Sequence, residues 1–277
     1  MKYKELYDFG ALALMEAGIA EASLDARLLL EFVCHTNRND LLVHGDKEVL
    51  KKEQDIYVNY IERRKAHEPL QHITGEQEFM GLVFEVSGNV LVPRQDTEVL
   101  VEETMRYLHD GMSILDMCTG SGCILLSLLK YSNGCKGVGA DISQEAVAVA
   151  KRNAQNLQIS EVSFVESDLF ESVEGRYDII VSNPPYISTG EISGLMEEVK
   201  AHEPLLALDG GEDGLFFYRK IIEKAPEHLN GGGYLFFEIG YDQAEAVTDE
   251  MKKAGYKEIS IVKDYAGLDR IVYGYMS

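Results

Sequence analysis

Asn183, Pro184, Pro185 and Tyr186 stand together directly after the apolar run Tyr177 to Ser182. Proline has no backbone N–H and cannot sit inside a sheet ladder, so a strand formed by that run has to stop at Ser182 or Asn183. At a strand end these four residues offer a stiff pair of acceptors beside an aromatic wall. The Asn183 side-chain carbonyl and the Pro184 backbone carbonyl can each accept from an –NH2 group, and the two prolines hold φ fixed. The Tyr186 ring gives a planar group a surface to pack on. This combination suits a poorly nucleophilic planar nitrogen, an amide or an exocyclic amine, whose remaining lobe must be aimed at an electrophile. As positive charge develops on that nitrogen both acceptors strengthen, which is selective stabilisation of a transition state. The plainer reading is a proline-stabilised turn with Asn as its initiator. Its place after the fourth strand of the sheet outlined below tells against that reading.

A second set of residues falls at the ends of three earlier apolar runs. The stretch "ILDMCTGSGC" puts Cys118, Thr119, Gly120, Ser121 and Gly122 in a strand-to-helix turn, where the glycines let the backbone turn tightly and approach a ligand. Leu125 stands where GxGxxG would need its third glycine, and no GK[ST] follows, so neither the dinucleotide fingerprint nor a P-loop is complete. Asp141 closes the next run about 20 residues further on, where an acid can accept both ribose hydroxyls of an adenosine. In "SDLF", Asp168 is placed to contact an adenine amine and Leu169 to cover a ring face. Singly each signal is weak, but at consecutive strand ends they form one nucleoside-binding set.

The elements that must carry these residues follow from periodicity and punctuation. Residues 1–68 read as three short helices, a small bundle for packing or partner recognition. The second starts with Ser23 as N-cap, and the third spans "DKEVLKKEQDIYVNYIERRKAH". Residues 69–95 read as a connecting β-hairpin with Met80–Gly81 near its turn. From 96 to 277 strands and helical segments alternate, which predicts a mainly parallel, doubly wound α/β sheet of seven strands. The last two, "EISIVKD" and "DRIVYGY", have only a few residues between them and cannot both be parallel. One strand must therefore be reversed, which points away from an ordinary dinucleotide-binding domain and towards the methyltransferase version of the fold. The long Glu- and Gly-rich loop after Tyr186 is expected to cover a bound substrate.

Composition limits the function classes. The 277-residue chain carries a formal net charge of −21, which disfavours nucleic acid as a substrate because that binding depends on cations neutralising phosphates. "IERRKAH", Ile61 to His67, is the best candidate for a basic patch. Four cysteines at 34, 118, 123 and 135 form no CxxC pair and seven histidines are scattered, so reduced thiols, a cytoplasmic setting and no metal site are expected. No run approaches a membrane span, and "MKYKELYDFG" is not of signal-peptide kind.

On these residues the chain resembles, over nearly its whole length, the protein glutamine N5-methyltransferases that modify peptide chain release factors. The resemblance rests on "PLQHITGEQEF", "VLVPRQDTEVLVE", "LDMCTGSGC", "DISQEAVAVAKRNA", "SDLF", "VSNPPYI", "EPLLALDGGEDGL", "GGYLFFEIG" and "GLDRIVYG". Pro93–Arg94 and Thr97–Glu98 are its most specific parts. It implies a class I, Rossmann-like methyltransferase domain behind an N-terminal helical recognition domain. It also implies S-adenosyl-L-methionine as donor, S-adenosyl-L-homocysteine as product, and the glutamine of a Gly-Gly-Gln loop as acceptor. Asn183, Pro184 and Tyr186 would then be catalytic, with Pro185 and Arg94 joining them at the substrate. Cys118, Thr119, Gly120, Ser121, Gly122, Asp141, Asp168, Leu169 and Asn183 would hold the cofactor. Two positions depart from the family: Cys118 stands where glycine is usual, and Leu169 where tryptophan is usual. A Cβ at 118 demands negative φ or some strain. The runner-up is an adenine-N6 DNA or RNA methyltransferase, which uses the same Asn-Pro-Pro-Tyr logic; a non-enzymatic adaptor comes last.

Overall fold

Tyr3, Leu6, Gly10 and Leu14 recur at helical spacing and form the buried stripe of α1 (Tyr3–Glu16). Ala26, Leu29, Leu30 and Val33 do the same for α2 (Ala22–Cys34). The helices α3 (Arg38–Val43), α4 (Lys51–Lys65) and α5 (Leu70–Thr74) follow. In this computed structural model, which describes all 277 residues, they form one unit made of residues 1–75 and Met196–His202. Its centre is the fully buried Tyr57, whose hydroxyl donates to the Ala26 carbonyl at 3.1 Å.

Three expectations for this region change. There are five helices before residue 75 rather than three, because Asn37 caps an extra turn by accepting from the Asp40 N–H and Pro69 starts another. Helix α2 begins before Ser23, with Glu21 at its N-cap. Helix α4 begins at Lys51 instead of Asp46, since the backbone before it bridges to the N-terminus: Tyr3 N donates to Lys47 O at 3.0 Å and Lys2 pairs with Glu48. The supposed basic patch is also occupied by carboxylates. Arg63 pairs with Glu68, Lys65 with Glu62, and the buried Arg64 lies between Asp25 and Glu198 at 2.8 and 2.6 Å.

The second unit, Glu76–Leu195 with Glu203–Ser277, opens with the hairpin β1 (Glu76–Phe79) and β2 (Leu82–Glu85). Met80 and Gly81 both have positive φ, as a two-residue primed turn requires. The hairpin within the segment 69–95 is thus packed into the second unit. The segment's first part is helical and belongs to the first unit, and Phe79 and Phe84 pack in the same core as Leu100, Ile114 and Phe236.

A 3-10 turn (Gln95–Thr97) leads into α6 (Glu98–Met105). Then come β3 (Ser113–Met117), α7 (Cys123–Lys130), β4 (Lys136–Asp141), α8 (Gln144–Asn156), β5 (Val162–Glu166) and β6 (Tyr177–Ser182). The long loop carries α9 (Glu197–His202), which counts with the helical unit. After it lie α10 (Phe216–His228), β7 (Leu229–Glu238), α11 (Ala244–Lys253), β8 (Lys257–Lys263) and β9 (Asp269–Tyr275). The seven strands of the main sheet run in the order β5-β4-β3-β6-β7-β9-β8. All neighbours are parallel except β9, which is antiparallel to both β7 and β8. The reversed strand expected from the short final connection is therefore β9. Strands after β3 extend the sheet one way and strands from β6 the other, so the switch point lies between β3 and β6. No helix is long and apolar enough to cross a membrane.

Candidate active site

The carboxyl ends of β3, β4, β5 and β6 deliver their following residues to one pocket, at the edge where open α/β sheets bind ligands. Cys118, Thr119, Gly120 and Ser121 form its floor, and Asp141, Asp168, Leu169 and Asn183 its walls. Pro185 and Arg94 also line it. Gly122, Pro184 and Tyr186 do not; Gly122 instead packs on α8, where a Cβ would meet that of Ala150 at 3.2 Å.

The turn after β3 is held from several sides. Thr119 N donates to Ala140 O at 3.0 Å, and its hydroxyl donates to Asp116 Oδ2 at 2.6 Å. Asp116 is fully buried, which pushes its carboxyl up to about 7. Asn153, buried in α8, donates to Ser121 O at 2.9 Å and exchanges two hydrogen bonds with Glu85 of the hairpin. Cys118 has φ of 61°, so the strained alternative is the one realised, and burial raises its thiol pKa. Gly120 has φ of 54° and no atom lies within 4 Å of where its Cβ would be, so the backbone there faces open space.

Asp141 Oδ2 accepts from Gly120 N at 2.8 Å and Oδ1 from Ser143 N at 3.0 Å. Ser143, not Asp141, is the side-chain cap of α8, accepting from Ala146 N. The acid is thus preorganised rather than spent on the helix. Burial raises its pKa against the pull of those N–H groups.

At the end of β6, Asn183 Nδ2 donates to Thr97 Oγ1 at 3.4 Å, while its Oδ1 is buried without a partner. The Tyr186 carbonyl accepts from Gln243 Nε2 at 2.9 Å, and burial raises its phenol pKa, keeping the ring neutral. Arg94 is paired with a carboxylate distant in the chain: Nη2 donates to both oxygens of Glu203 at 2.6 and 2.7 Å, and the Glu203 side chain is almost wholly buried. The long loop contributes part of the wall, with Pro204, Leu206 and Ala207 on the pocket. Its return limb runs back beside the tetrapeptide, Ile187 N donating to Leu208 O and Gly210 N to Ile187 O.

Sequence reasoning missed Thr97 as a partner of Asn183, Glu203 as the partner of Arg94, and Asn153 as the tie on the glycine turn. It also passed over Glu238, which closes β7 beside Asn183; a lone charge in the otherwise apolar "YLFFEIG" was the available signal.

The incomplete glycine pattern and the reversed β9 both depart from dinucleotide-binding domains. Together with the acids at the ends of β4 and β5, they define a class I methyltransferase. Comparison with known proteins narrows this. A family model described as PrmC N-terminal domain matches residues 5–75, and one described as Methyltransferase small domain matches 95–212. A release factor glutamine methyltransferase of Geobacter sulfurreducens is 43% identical over 262 residues, 94% of this chain and 92% of that relative. One of Caulobacter vibrioides is 41% identical over 265 residues, again 94% and 92%. A solved methyltransferase from Pyrococcus furiosus matches the fold with a TM-score of 0.55 at 20% identity, covering 82% of this chain and 98% of that one. The chain belongs to the release factor glutamine methyltransferase family, and it is a methyltransferase enzyme.

Proposed function

We propose that the protein methylates the side-chain amide nitrogen of the glutamine in the Gly-Gly-Gln loop of a peptide chain release factor, with S-adenosyl-L-methionine as donor. The observation that carries this reading is Asn183 Oδ1, a buried acceptor with no partner on a residue that walls the pocket. A buried unsatisfied acceptor costs about 1–3 kcal/mol, which a substrate N–H would relieve.

The residues present fit the donor. The open backbone at Gly120 leaves room for a ligand against the turn, and Asp141 offers a preorganised carboxylate at the end of the next strand. When bound, the donor supplies an electrophilic methyl group on a sulfonium. Asp141 would hold its ribose hydroxyls, Asp168 its adenine amine, and Leu169 would cover a ring face. Asn183 Oδ1 and the Pro184 carbonyl would accept the two amide hydrogens and so fix the plane of the acceptor. The nitrogen that gains the methyl group is cationic and its proton strongly acidic, so it passes to solvent water and no general base of raised pKa is needed at the reacting atom. Gln243, by gripping the Tyr186 carbonyl, fixes the backbone at the end of the tetrapeptide. We assign recognition of the partner protein to the helical unit and the place of action to the cytoplasm, where release factors work.

The test is incubation with methyl-labelled donor and either an intact release factor or duplex DNA. Label on the glutamine of the release factor is expected. Label in DNA alone would reject this function for the adenine-N6 alternative.

A further inference from the structure

An asparagine amide has two ends, and only one of them can accept from a substrate –NH2 group. Something must decide which end faces the substrate. The residues behind Asn183 do so. Register pairs Ser182 with Phe237, which brings Glu238, one residue on, beside Asn183. Glu238 is 2% exposed and does not line the pocket. The Thr97 and Asn183 side chains both lower the pKa of its carboxyl, which places them against it, and its Oε2 is buried without a partner. A carboxylate has no proton to give, so it selects the Nδ2 end of the amide.

We propose that Glu238 is a positioning residue for methyl transfer: it holds Asn183 Nδ2, directly and through the Thr97 hydroxyl, so that Oδ1 is left facing the substrate amide. This rests on the reading of Asn183 given above. The 3.4 Å contact between Asn183 Nδ2 and Thr97 Oγ1 is long, as such contacts often are before substrate tightens them. Arg270 supplies the compensating charge; it pairs with Asp264 at 3.0 Å and reaches Asp96 at 3.5 Å.

Burial pushes the Glu238 carboxyl up to about 7, with Thr97, Arg270 and Asn183 opposing and Asp96 adding to the rise. Cys123, Tyr186 and Tyr218 also sense its charge, and burial keeps all three protonated near neutrality. Ionised Glu238 orders the amide and protonated Glu238 does not, so turnover rises with pH through this value.

The test measures kcat, KM for intact release factor and donor affinity between pH 6 and 8.5. For Glu238→Gln, kcat is expected to fall about 10- to 100-fold, the usual effect of losing a residue that orients a reacting group. KM and donor affinity should stay within about twofold, and the acidic limb of the wild-type pH profile should disappear. Thr97→Val should lose activity in the same way, and Thr97→Ser, which keeps the hydroxyl, should restore it. A wild-type kcat in Glu238→Gln, or an acidic limb that persists in it, overturns the proposal. So does a loss of donor affinity equal to the loss of kcat, because that is the mark of a structural role. Asn183→Ala separates the two levels: if it is inactive while Glu238→Gln is not, only the positioning role fails. If Asn183→Ala turns over normally, the function reading fails first.

Discussion

Asp141, the proposed ribose ligand, is already ordered before any ligand arrives. Its two oxygens already accept from Gly120 N and Ser143 N, which aims the carboxylate and costs no ordering on binding. Asp141→Ala is therefore expected to weaken donor binding by about 1.5–3 kcal/mol, the worth of hydrogen bonds to a charged group. Calorimetric titration checks this, and an unchanged affinity would remove the ribose assignment. Asp141 and Asn183 are legible in the chain because each closes or directly follows an apolar run beside other chemistry-bearing residues. Glu238 also closes such a run, but nothing local ties it or Thr97 to Asn183; that neighbourhood comes from sheet register and a contact across more than eighty residues.

At the level of elements, the segment after Tyr186 packs back onto the tetrapeptide. Gly210 and Gly214 bring their backbones onto Tyr186: a Cβ on Gly210 would lie 2.8 Å from the Tyr186 Cα, and one on Gly214 2.3 Å from its carbonyl oxygen. Gly214 also has φ of 72°, which only glycine adopts freely. Gly214→Ala should displace the Tyr186 carbonyl from Gln243. We expect a loss of kcat of about 10- to 100-fold, the upper figure being what a 1 Å misplacement can cost, with the far-ultraviolet circular dichroism spectrum retained. Steady-state kinetics beside that spectrum check it; full activity would mean that the loop does not brace the tetrapeptide. The same loop holds the pair of Arg94 and Glu203, a contact across more than a hundred residues that no local pattern announces.

For the whole molecule, buried acids tilt stability with pH: Asp116 and Glu238 are raised furthest, and burial raises Asp25, Asp141 and Glu203 as well. Burial raises both Asp116 and Glu238 to about 7. Unfolded, such groups titrate near 4, so between about pH 4 and 7 the folded chain holds more protons than the unfolded one. Their contribution to stability is full below pH 4 and is lost as pH rises through 7. Glu68 and Asp178 act oppositely: their pKa values are depressed by hydrogen bonds that outweigh the cost of burial, from Arg63 to Glu68 and from Ser113 and Asn230 to Asp178. Their contribution is lost only as pH falls below about 4. Relief of self-repulsion in a chain of net charge −21 works in the same direction as the buried acids. The melting temperature should thus be higher at pH 6 than at pH 8 by about 2–6 °C at fixed ionic strength. Scanning calorimetry checks this, and Asp116→Asn should flatten the slope; a melting temperature that rises towards pH 8 would contradict the burial of both groups in neutral form.

The order of strands and helices, the reversed final strand and the residues at strand ends were all readable in the chain. They depend on local periodicity, on glycine and proline, and on the length a parallel crossover needs. The boundaries of the N-terminal helices were not, because backbone pairing of Tyr3 and Lys47 overrides the helical pattern of Asp46 to Leu50. Nor was the fate of Arg63, Arg64 and Lys65, whose carboxylate partners include Glu198, more than 130 residues away from Arg64. What the amino-acid order determined by itself was which groups reach the carboxyl edge of the sheet. Only the tertiary structure decided what stands behind them, since a buried hydrogen-bond partner is chosen by proximity in space and leaves no periodic trace.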